Sequence, residues 1–295
     1  MNLTPITFLF ALLLFVNGCA TTVSMNIKES VAVGRLNPVI YYTGYSGALS
    51  REQVVLFVRG TGRFPASRDF GMGAEAVLIG FSVVYPQKSY VNDEKQYYLH
   101  DHRGQRLHDL CAISDDLIAQ GTKRILLLAD SEGTMLAPEI AARYSRYVCG
   151  LVCMGGSVTT FEEDIRFCNA NGRGIFGQSQ VQEKLDDIAK EPDNARKDFC
   201  GHSYKFWSSY LRYDPVLDLK SLACPVLYLN GENDDLDLAK QRQRIQQLSD
   251  GGLNIGQKIY RGVGHELKKV AKSMARDILE WAEKNHIGSR DKQRM

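Results

Sequence analysis

Short apolar runs of strand length alternate with longer amphipathic segments along most of the chain. Runs that are apolar at consecutive positions are typical of parallel strands buried on both faces of a sheet. The segment 105–119 instead has its leucines and isoleucine at helical spacing, which predicts a helix with one buried face. Strands and helices that alternate in this way indicate crossover units and a mainly parallel sheet. The predicted strands are 38–43, 53–59, 81–85, 124–129, 147–154, 226–229 and 257–260, and the predicted helices are 67–79, 105–119, 133–144, 238–248 and 266–284.

Two stretches depart from a plain alternation of strands and crossover helices. The strands 38–43 and 53–59 are separated by a glycine-containing turn, so we expect them to pair as an antiparallel hairpin. Residues 157–222 are polar and glycine-containing at first and then rich in aromatic side chains. A stretch of this length inside a compact domain is usually functional, although aromatic side chains would also suit simple packing against the main domain.

The composition is that of an ordinary globular protein and excludes some classes. The 295 residues suit one large domain or two small ones, and 44% of them are hydrophobic. A formal charge of +2, without a basic stripe interleaved with aromatic residues, argues against a nucleic-acid binder. No cysteine and histidine spacing predicts a metal site. Cys168 and Cys200 lie in polar, irregular sequence and are the candidates for a disulfide bond.

The N-terminal residues resemble an export signal. Residues 6–16 are apolar but too few to span a membrane comfortably, which is typical of the core of a signal peptide. Residues 16–19 read Val-Asn-Gly-Cys and resemble a bacterial lipobox, although no lysine or arginine precedes the apolar core. The resemblance implies cleavage before Cys19 and a diacylglycerol group on its thiol. An ordinary secretory signal or an uncleaved anchor is the alternative.

These features divide the chain into three parts. We expect a signal peptide over 1–18, a lipidated tether over 19–30 and a folded domain over 31–295. The alanine that follows Cys19 resembles outer-membrane lipoproteins more than inner-membrane ones. We therefore expect a protein that is held by its lipid in the bacterial envelope, at the outer membrane facing the periplasm.

A serine lies directly after one of the predicted strands. Residues 126–133 read Leu-Leu-Leu-Ala-Asp-Ser-Glu-Gly, so that Ser131 has a small residue two positions to either side. This arrangement is typical of a sharp strand-to-helix turn that exposes a serine hydroxyl at the sheet edge. Alternatively, Ser131 merely caps the following helix. Ser46 also lies between glycines, but no helical pattern follows it, and we interpret its surroundings as a turn.

Two further residues that follow predicted strands can complete a catalytic set. Gly-Glu-Asn-Asp ends at Asp234, and Gly-Val-Gly-His ends at His265. A histidine can take the proton of a serine hydroxyl during attack, and an aspartate can hold that histidine in the required tautomer. The alternatives are His202 for the base and Asp235, Asp237 or Glu232 for the acid.

The chain order Ser, Asp, His is similar to that of the α/β-hydrolase superfamily. The resemblance to this superfamily covers about 38–285. Residues 206–215, followed by Cys-Pro-Val-Leu at 224–227, look particularly like its esterases and serine peptidases. The resemblance implies an α/β fold with a mainly parallel, doubly wound sheet, in which 157–222 forms a cap over the active site. It also favours Asp234 as the acid, because the family's acid lies three residues after this glycine.

The resemblance further implies an oxyanion hole built from two backbone amides. One is the amide of Glu132, and the other belongs by position to Thr61, in the loop Arg-Gly-Thr-Gly at 59–62. The chain departs from the family pattern at Ala129, where a glycine is usual, and at Arg59, where a histidine is common.

Three more side chains are candidates for contact with substrate. Arg59 would steer an anionic part of the substrate, or would instead pair with Glu132 or Asp130. In the cap, we expect Trp207 and Tyr210 to contact the substrate.

The function implied is that of a serine hydrolase that cleaves a carboxylic ester, thioester or amide of a small molecule through an acyl-enzyme. It needs no metal or organic cofactor, and nothing in the sequence fixes an oligomeric state. The alternative within the class is a serine peptidase that acts on small peptides or aminoacyl amides. The alternative of another class is a non-catalytic envelope binding protein that retains the hydrolase fold, as the departures at Ala129 and Arg59 would suggest.

Overall fold

A computed structural model describes residues 12–16, 19–23, 26–34, 38–45, 51–70, 80–177 and 180–288. The strands are β1 Leu12–Val16, β2 Cys19–Val23, β3 Asn26–Val33, β4 Pro38–Tyr45, β5 Gln53–Val58, β6 Ser82–Pro86, β7 Arg124–Asp130, β8 Val148–Met154, β9 Asp198–Phe199, β10 His202–Ser203, β11 Val226–Gly231 and β12 Ile255–Tyr260. The α-helices are α1 Glu94–His100, α2 Arg103–Ala119, α3 Ala137–Arg143, α4 Phe161–Ala170, α5 Val181–Lys190, α6 Tyr204–Leu211, α7 Pro215–Leu219, α8 Leu238–Asp250 and α9 Ala271–Lys284. Short 3-10 helices span Ala66–Asp69, Ser131–Met135, Gly174–Phe176 and Leu267–Val270.

Eight of these strands form one sheet in the order β3-β4-β6-β5-β7-β8-β11-β12. Strand β4 is antiparallel to both of its neighbours, and every other pair in the sheet is parallel. The expectation of a mainly parallel, doubly wound α/β sheet is therefore confirmed. Because parallel strands point their carboxyl ends the same way, the segments that follow β5, β7, β11 and β12 meet at one edge.

The apolar runs are continuous because successive side chains enter two different cores. In β5, Leu56 and Val58 belong to the core on one face of the sheet, whereas Val55 and Phe57 belong to the core on the other. The first core is completed by α2, α3, α8 and helices of the 157–222 segment, and the second by α9. Burying an aliphatic or aromatic side chain of this kind contributes roughly 1.5–3 kcal/mol, so each strand is held from both sides.

The hairpin expected between 38–43 and 53–59 is wrong. Strand β4 pairs with β3 and β6, and β5 lies between β6 and β7. The order of strands in the sheet places β6 between β4 and β5, and β6 pairs with both of them. Strand β3 covers Asn26–Val33, so residues 26–30, expected within the tether, pair with β4 at the edge of the sheet.

Helix positions agree with the sequence pattern except where the backbone turns more tightly. The predicted helix 133–144 is a 3-10 turn followed by α3, and the predicted helix 266–284 is likewise a 3-10 turn followed by α9. Of the predicted helix 67–79, residues 67–69 belong to a 3-10 turn and 71–79 lie outside the described residues.

Several expectations on the N-terminal region are not tested by the structure. Residues 1–11 and 46–50 lie outside the described residues, and of 12–23 the structure describes the strands β1 and β2, which pair with each other. Within the described part of the chain, none of the helices combines the length and the apolar character needed to cross a membrane.

The segment 157–222 contains α4, α5, α6 and α7 together with the small hairpin of β9 and β10. Its aromatic side chains pack on one another: the ring centroids of Phe206 and Trp207 are 5.2 Å apart, and those of Phe206 and Tyr210 are 4.8 Å apart. Cys168 and Cys200 are both free thiols, so the disulfide considered from the sequence is not formed. The Cys168 thiol instead donates to the carbonyl oxygen of Asp235 at 3.1 Å.

Candidate active site

Ser131 lies at the turn between β7 and the 3-10 helix that precedes α3, with φ at +50°. A non-glycine residue in this left-handed region is strained, and such strain persists where packing enforces it. The packing here is close, because a Cβ at Gly133 would lie 2.7 Å from the carbonyl carbon of Val58 and closer still to its oxygen. A Cβ at Gly60 would lie 2.8 Å from the Cβ of Ser131. The loop that follows β5 therefore leaves no room for a side chain at Gly133, two residues after the serine.

The structure brings Ser131, His265 and Asp234 into one hydrogen-bonded chain. The Oγ of Ser131 is 2.9 Å from Nε2 of His265, and Nδ1 of His265 is 2.9 Å from Oδ1 of Asp234. The hydrogen bond with Asp234 raises the pKa of His265 above its ordinary value, although burial opposes that rise. With Nδ1–H donated to the carboxylate, Nε2 is left to accept a proton from the serine.

Backbone packing between two loops fixes the acid against the base. Asp234 is fully buried, and its Oδ1 also accepts a hydrogen bond from the amide of Asp235 at 2.8 Å. The amide of Asn233 donates to the carbonyl oxygen of Val263 at 2.8 Å, which ties the turn after β11 to the turn after β12. These two turns carry Asp234 and His265, so the hydrogen bond between them holds the acid close to the base.

The alternative candidates for the base and the acid lie in other parts of the fold or make other contacts. His202 stacks on Phe206 with ring centroids 4.0 Å apart, inside the 157–222 segment. Asp237 caps α8 by accepting from the amide of Lys240 at 3.0 Å. The carboxylate of Glu232 accepts from the backbone amide of a glycine in the loop after β12 at 3.0 Å.

The proposed oxyanion-hole residues lie on either side of the nucleophile. Thr61 is exposed and lines the same cavity as Gly60 and Ser131, and Glu132 follows Ser131 directly in the 3-10 helix. The carboxylate of Glu132 is turned away from the cavity and is fully buried. The backbone of Glu132 is therefore beside the nucleophile, whereas its carboxylate belongs to the protein interior.

A buried ionic cluster surrounds the Glu132 carboxylate, and no pattern in the sequence indicates it. Its Oε1 accepts a hydrogen bond from the hydroxyl of Tyr210 in α6. Its Oε2 lies 3.7 Å from Nζ of Lys88 and 3.5 Å from a guanidinium nitrogen of Arg106. Burial, together with the charge of Arg106, lowers the pKa of Lys88 to about 7. The cluster combines charges that are far apart in sequence and have no common spacing.

Arg106 connects this cluster to the loop that carries Thr61. Its second terminal nitrogen donates to the carbonyl oxygen of Arg59 at 2.9 Å. One buried guanidinium therefore contacts both the residue after the nucleophile and the start of the predicted oxyanion loop.

For the Arg59 side chain, the ion pair expected as the alternative to substrate contact is wrong. The side chain pairs with neither Glu132 nor Asp130; its Nε lies 2.9 Å from Oδ2 of Asp69. A terminal nitrogen donates to the carbonyl oxygens of Phe64 at 2.7 Å and Pro65 at 3.1 Å. Burial raises the pKa of Asp69 to about 6, against the opposing charge of Arg59. The guanidinium thus stabilises its own loop, and although it lines the cavity we expect it not to steer an anionic substrate.

A cavity of about 390 Å³ opens at the Ser131 hydroxyl. Its apolar lining is formed by Phe57, Phe64, Met154, Leu267, Ala271 and Met274. Its polar and small lining residues are Arg59, Gly60, Thr61, Arg68, Asp69, Asp130, Ser131, His265, Glu266 and Lys268. None of these described lining residues comes from the 157–222 segment.

The expectation that Trp207 and Tyr210 contact substrate is wrong. Trp207 is 5% exposed and donates from Nε1 to the carbonyl oxygen of Phe199 at 2.6 Å, while Tyr210 is fully buried against Glu132. Their spacing on α6 is that of a buried helix face, which the sequence pattern alone does not separate from a binding surface.

No metal site accompanies this arrangement in the described part of the chain, where histidine, cysteine and acidic side chains form no group of three that could hold an ion.

Comparisons with known proteins show the fold. Neither a protein-family model nor a curated protein matches the sequence. Among solved structures, a thermostable carboxyl esterase from Bacillus coagulans has a TM-score of 0.64 at 13% identity and covers 88% of this chain and 98% of its own. Proline iminopeptidase of Mycobacterium smegmatis has a TM-score of 0.59 at 12% identity, with 88% and 98% coverage. An esterase of Pyrococcus furiosus has a TM-score of 0.61 at 11% identity, with 89% and 92% coverage. The chain therefore has the α/β-hydrolase fold.

Proposed function

We propose that this chain, with its α/β-hydrolase fold, is a serine hydrolase that cleaves a carboxylic ester, thioester or amide through an acyl-enzyme. The observation that carries the proposal is the continuous hydrogen-bonded chain from Ser131 through His265 to Asp234, with both distances at 2.9 Å. The strained backbone of Ser131 at the mouth of a cavity of about 390 Å³ supports it.

In this mechanism the Oγ of Ser131 attacks the carbonyl carbon of the substrate while Nε2 of His265 takes the hydroxyl proton. The negative charge that develops on the carbonyl oxygen is stabilised by the backbone amides of Glu132 and Thr61. The imidazolium then gives its proton to the leaving alcohol, thiol or amine, and the acyl group remains on Oγ. Water attacks the acyl-enzyme with His265 again as base, which releases the acid and restores the serine.

Asp234 acts through the histidine. Its buried carboxylate accepts the Nδ1 proton and stabilises the imidazolium that forms in both half-reactions. The raised pKa of His265 has the same origin and makes the imidazole a stronger base.

The alternative within the class is a serine peptidase, since the same three side chains serve both reactions. Similar solved structures include esterases and peptidases, among them an acylaminoacyl peptidase of Pyrococcus horikoshii. The distinction between ester and amide substrates is left to experiment with matched pairs that share one acyl group.

A fluorophosphonate probe, which phosphorylates activated serines, tests the proposal. We expect the full chain to be labelled and to hydrolyse p-nitrophenyl esters, and Ser131→Ala to lose labelling and at least about 10⁴-fold in kcat. The matched control is Ser46→Ala, which removes the second serine that the sequence places between glycines, in Gly-Tyr-Ser-Gly at 44–47. Absence of labelling in the wild type would support the non-catalytic binding protein instead.

We also propose that a lipid on Cys19 holds the protein at the outer membrane, facing the periplasm. The support is the apolar run 6–16 followed by Val-Asn-Gly-Cys. Mass spectrometry of the mature N-terminal peptide should find a diacylglycerol-modified cysteine, and Cys19→Ala should leave the membrane fraction. An unmodified Cys19 in the mature protein would rule the anchor out.

A further inference from the structure

One carboxylate in the cavity is left without a partner. Asp130 immediately precedes the nucleophile and lines the cavity. A Cβ at Gly60 would lie 2.8 Å from the Cβ of Ser131 and 3.3 Å from Oδ2 of Asp130, so the carboxylate stands beside the nucleophile. Across the described residues, its side chain has neither a hydrogen bond nor an ion pair.

Two of the three arginine and lysine side chains that line the cavity are paired with carboxylates, and the third is exposed. Arg59 pairs with Asp69 at 2.9 Å, and Lys268 pairs with Glu266 at 3.4 Å. Arg68 is exposed and lies over the ring of a neighbouring phenylalanine, 3.8 Å from its centroid. The unpaired charge closest to the nucleophile is therefore negative.

The surroundings of this carboxylate disfavour its charged form until a cation arrives. Burial raises the pKa of Asp130, and the charges of His265, Arg59, Lys268 and Lys88 oppose the rise without overcoming it. An unpaired anion in a partly buried site gains more from a bound cation than one in water does. A positively charged group on the substrate would supply that partner.

We propose that Asp130 binds a protonated amine on the acyl part of the substrate, so that the substrates are esters or amides of amino acids. The assignment rests on the proposed serine hydrolase function. An acyl carbonyl poised for attack lies about 3–3.5 Å from the serine oxygen. An amine one or two carbons from that carbonyl can then reach the carboxylate of the residue that precedes the serine.

The rest of the cavity suits the remainder of such a substrate. Phe57, Met154, Leu267 and Met274 form an apolar lining on which an aliphatic or aromatic side chain can pack. The chemistry that the site recognises is thus an ammonium group next to the scissile carbonyl, followed by an apolar side chain.

Three benzyl esters of nearly equal size test the assignment. Alanine benzyl ester carries an ammonium group, benzyl propionate has a hydrogen in its place, and monobenzyl methylmalonate has a carboxylate. The assays are run at pH 7, below the α-amino pKa of about 7.7–8.0, with benzyl alcohol measured as the common product. The wild type is expected to prefer the alanine ester over the propionate by at least about ten-fold in kcat/KM.

Asp130→Asn keeps the shape of the side chain and removes its charge. This variant should lower the ratio of alanine ester to propionate by about ten-fold or more. Because both esters use the same triad, any change in the basicity of His265 cancels in the ratio. Glu183→Gln removes the same charge from an exposed position on α5, outside the lining of the cavity, and should leave the ratio within about two-fold of the wild type.

Each outcome of the assay is decisive. A wild type that prefers the propionate or the methylmalonate, or that is labelled by the fluorophosphonate but hydrolyses none of the three esters, overturns the assignment whatever the variants do. An unchanged ratio in Asp130→Asn also overturns it, while fluorophosphonate labelling of that variant shows that the triad is intact. A wild type that hydrolyses none of the three esters and is not labelled would instead overturn the proposed function, and this assignment with it.

Discussion

The buried hydrogen bond from Tyr210 to Glu132 gives a sharp test of how the nucleophile turn is supported. Both side chains are at most 1% exposed, and the tyrosine hydroxyl donates to one carboxylate oxygen. The other oxygen relies on Lys88 at 3.7 Å and Arg106 at 3.5 Å, distances at which no hydrogen bond forms. The carboxylate therefore has no second donor ready to replace the hydroxyl.

We predict that Tyr210→Phe destabilises the protein by about 1.5–3 kcal/mol, the range for hydrogen bonds to charged groups. At the lower end of the usual 2–4 °C per kcal/mol, the thermal midpoint should fall by about 3–6 °C. The variant removes one oxygen atom and leaves the aromatic packing with Phe206 in place. Activity should fall as well, because the amide of Glu132 loses part of its support.

Tyr228→Phe is the matched control. Tyr228 in β11 is also fully buried, but its hydroxyl makes no hydrogen bond that meets normal geometry among the described residues and lies beside the thiol of Cys153, a weak hydrogen-bonding group. Removing it should change stability by no more than about 0.5 kcal/mol. Equal shifts of the thermal midpoint in the two variants would refute the claim that the Glu132 carboxylate depends on Tyr210.

Three further outcomes follow from the same geometry. Gly133→Ala should destabilise the protein by more than about 3 kcal/mol, because the added Cβ meets the backbone of Val58. Gly256→Ala is the control and should be well tolerated, because a Cβ there has no atom within 4 Å. Thermal unfolding of the two variants measures the difference. The pKa of His265 is raised and its neutral form is the base, so kcat/KM should fall as pH drops through an apparent pKa above 6.5; an acid limb below that value would contradict the assigned role. Arg59→Ala should cost about 3 kcal/mol by leaving its buried partner unpaired, while the activity ratio between neutral and carboxylate-bearing esters stays within about two-fold; a larger change would restore the steering hypothesis.

The sheet was predictable because its signal is local. Each central strand is a short apolar run, and the reason is visible in β5, whose alternate side chains enter cores on opposite faces. The pairing of 38–43 with 53–59 failed for the opposite reason. Strand order depends on which segments meet across the chain, and nothing within either run records that β6 lies between them.

In the site, too, the features with a local sequence signal were predictable and those that depend on distant contacts were not. Ser131, Asp234 and His265 each follow a strand, so their positions could be inferred one by one, and the parallel sheet then brings the three together. The partner of Arg59 could not be inferred, because its ion pair with Asp69 depends on how the intervening loop folds back. Trp207 illustrates the remaining difficulty, since an aromatic side chain on a buried helix face resembles one in a binding site.

The contacts of the 157–222 segment connect it to the residue that follows the nucleophile. Among the described residues it contributes nothing to the lining of the cavity, but the hydroxyl of Tyr210 in α6 donates to the carboxylate of Glu132. Arg106 contacts that same carboxylate and the carbonyl of Arg59, so the turn and the loop after β5 rest on one buried cluster. Amides that stabilise an oxyanion must be held in place before the charge develops, since reorganising them during the reaction would cost part of the stabilisation. In the proposed mechanism the segment therefore acts on the chemistry through the rigidity of the amide donors, while the lining of the cavity comes mainly from the loop after β5 and the residues that follow His265.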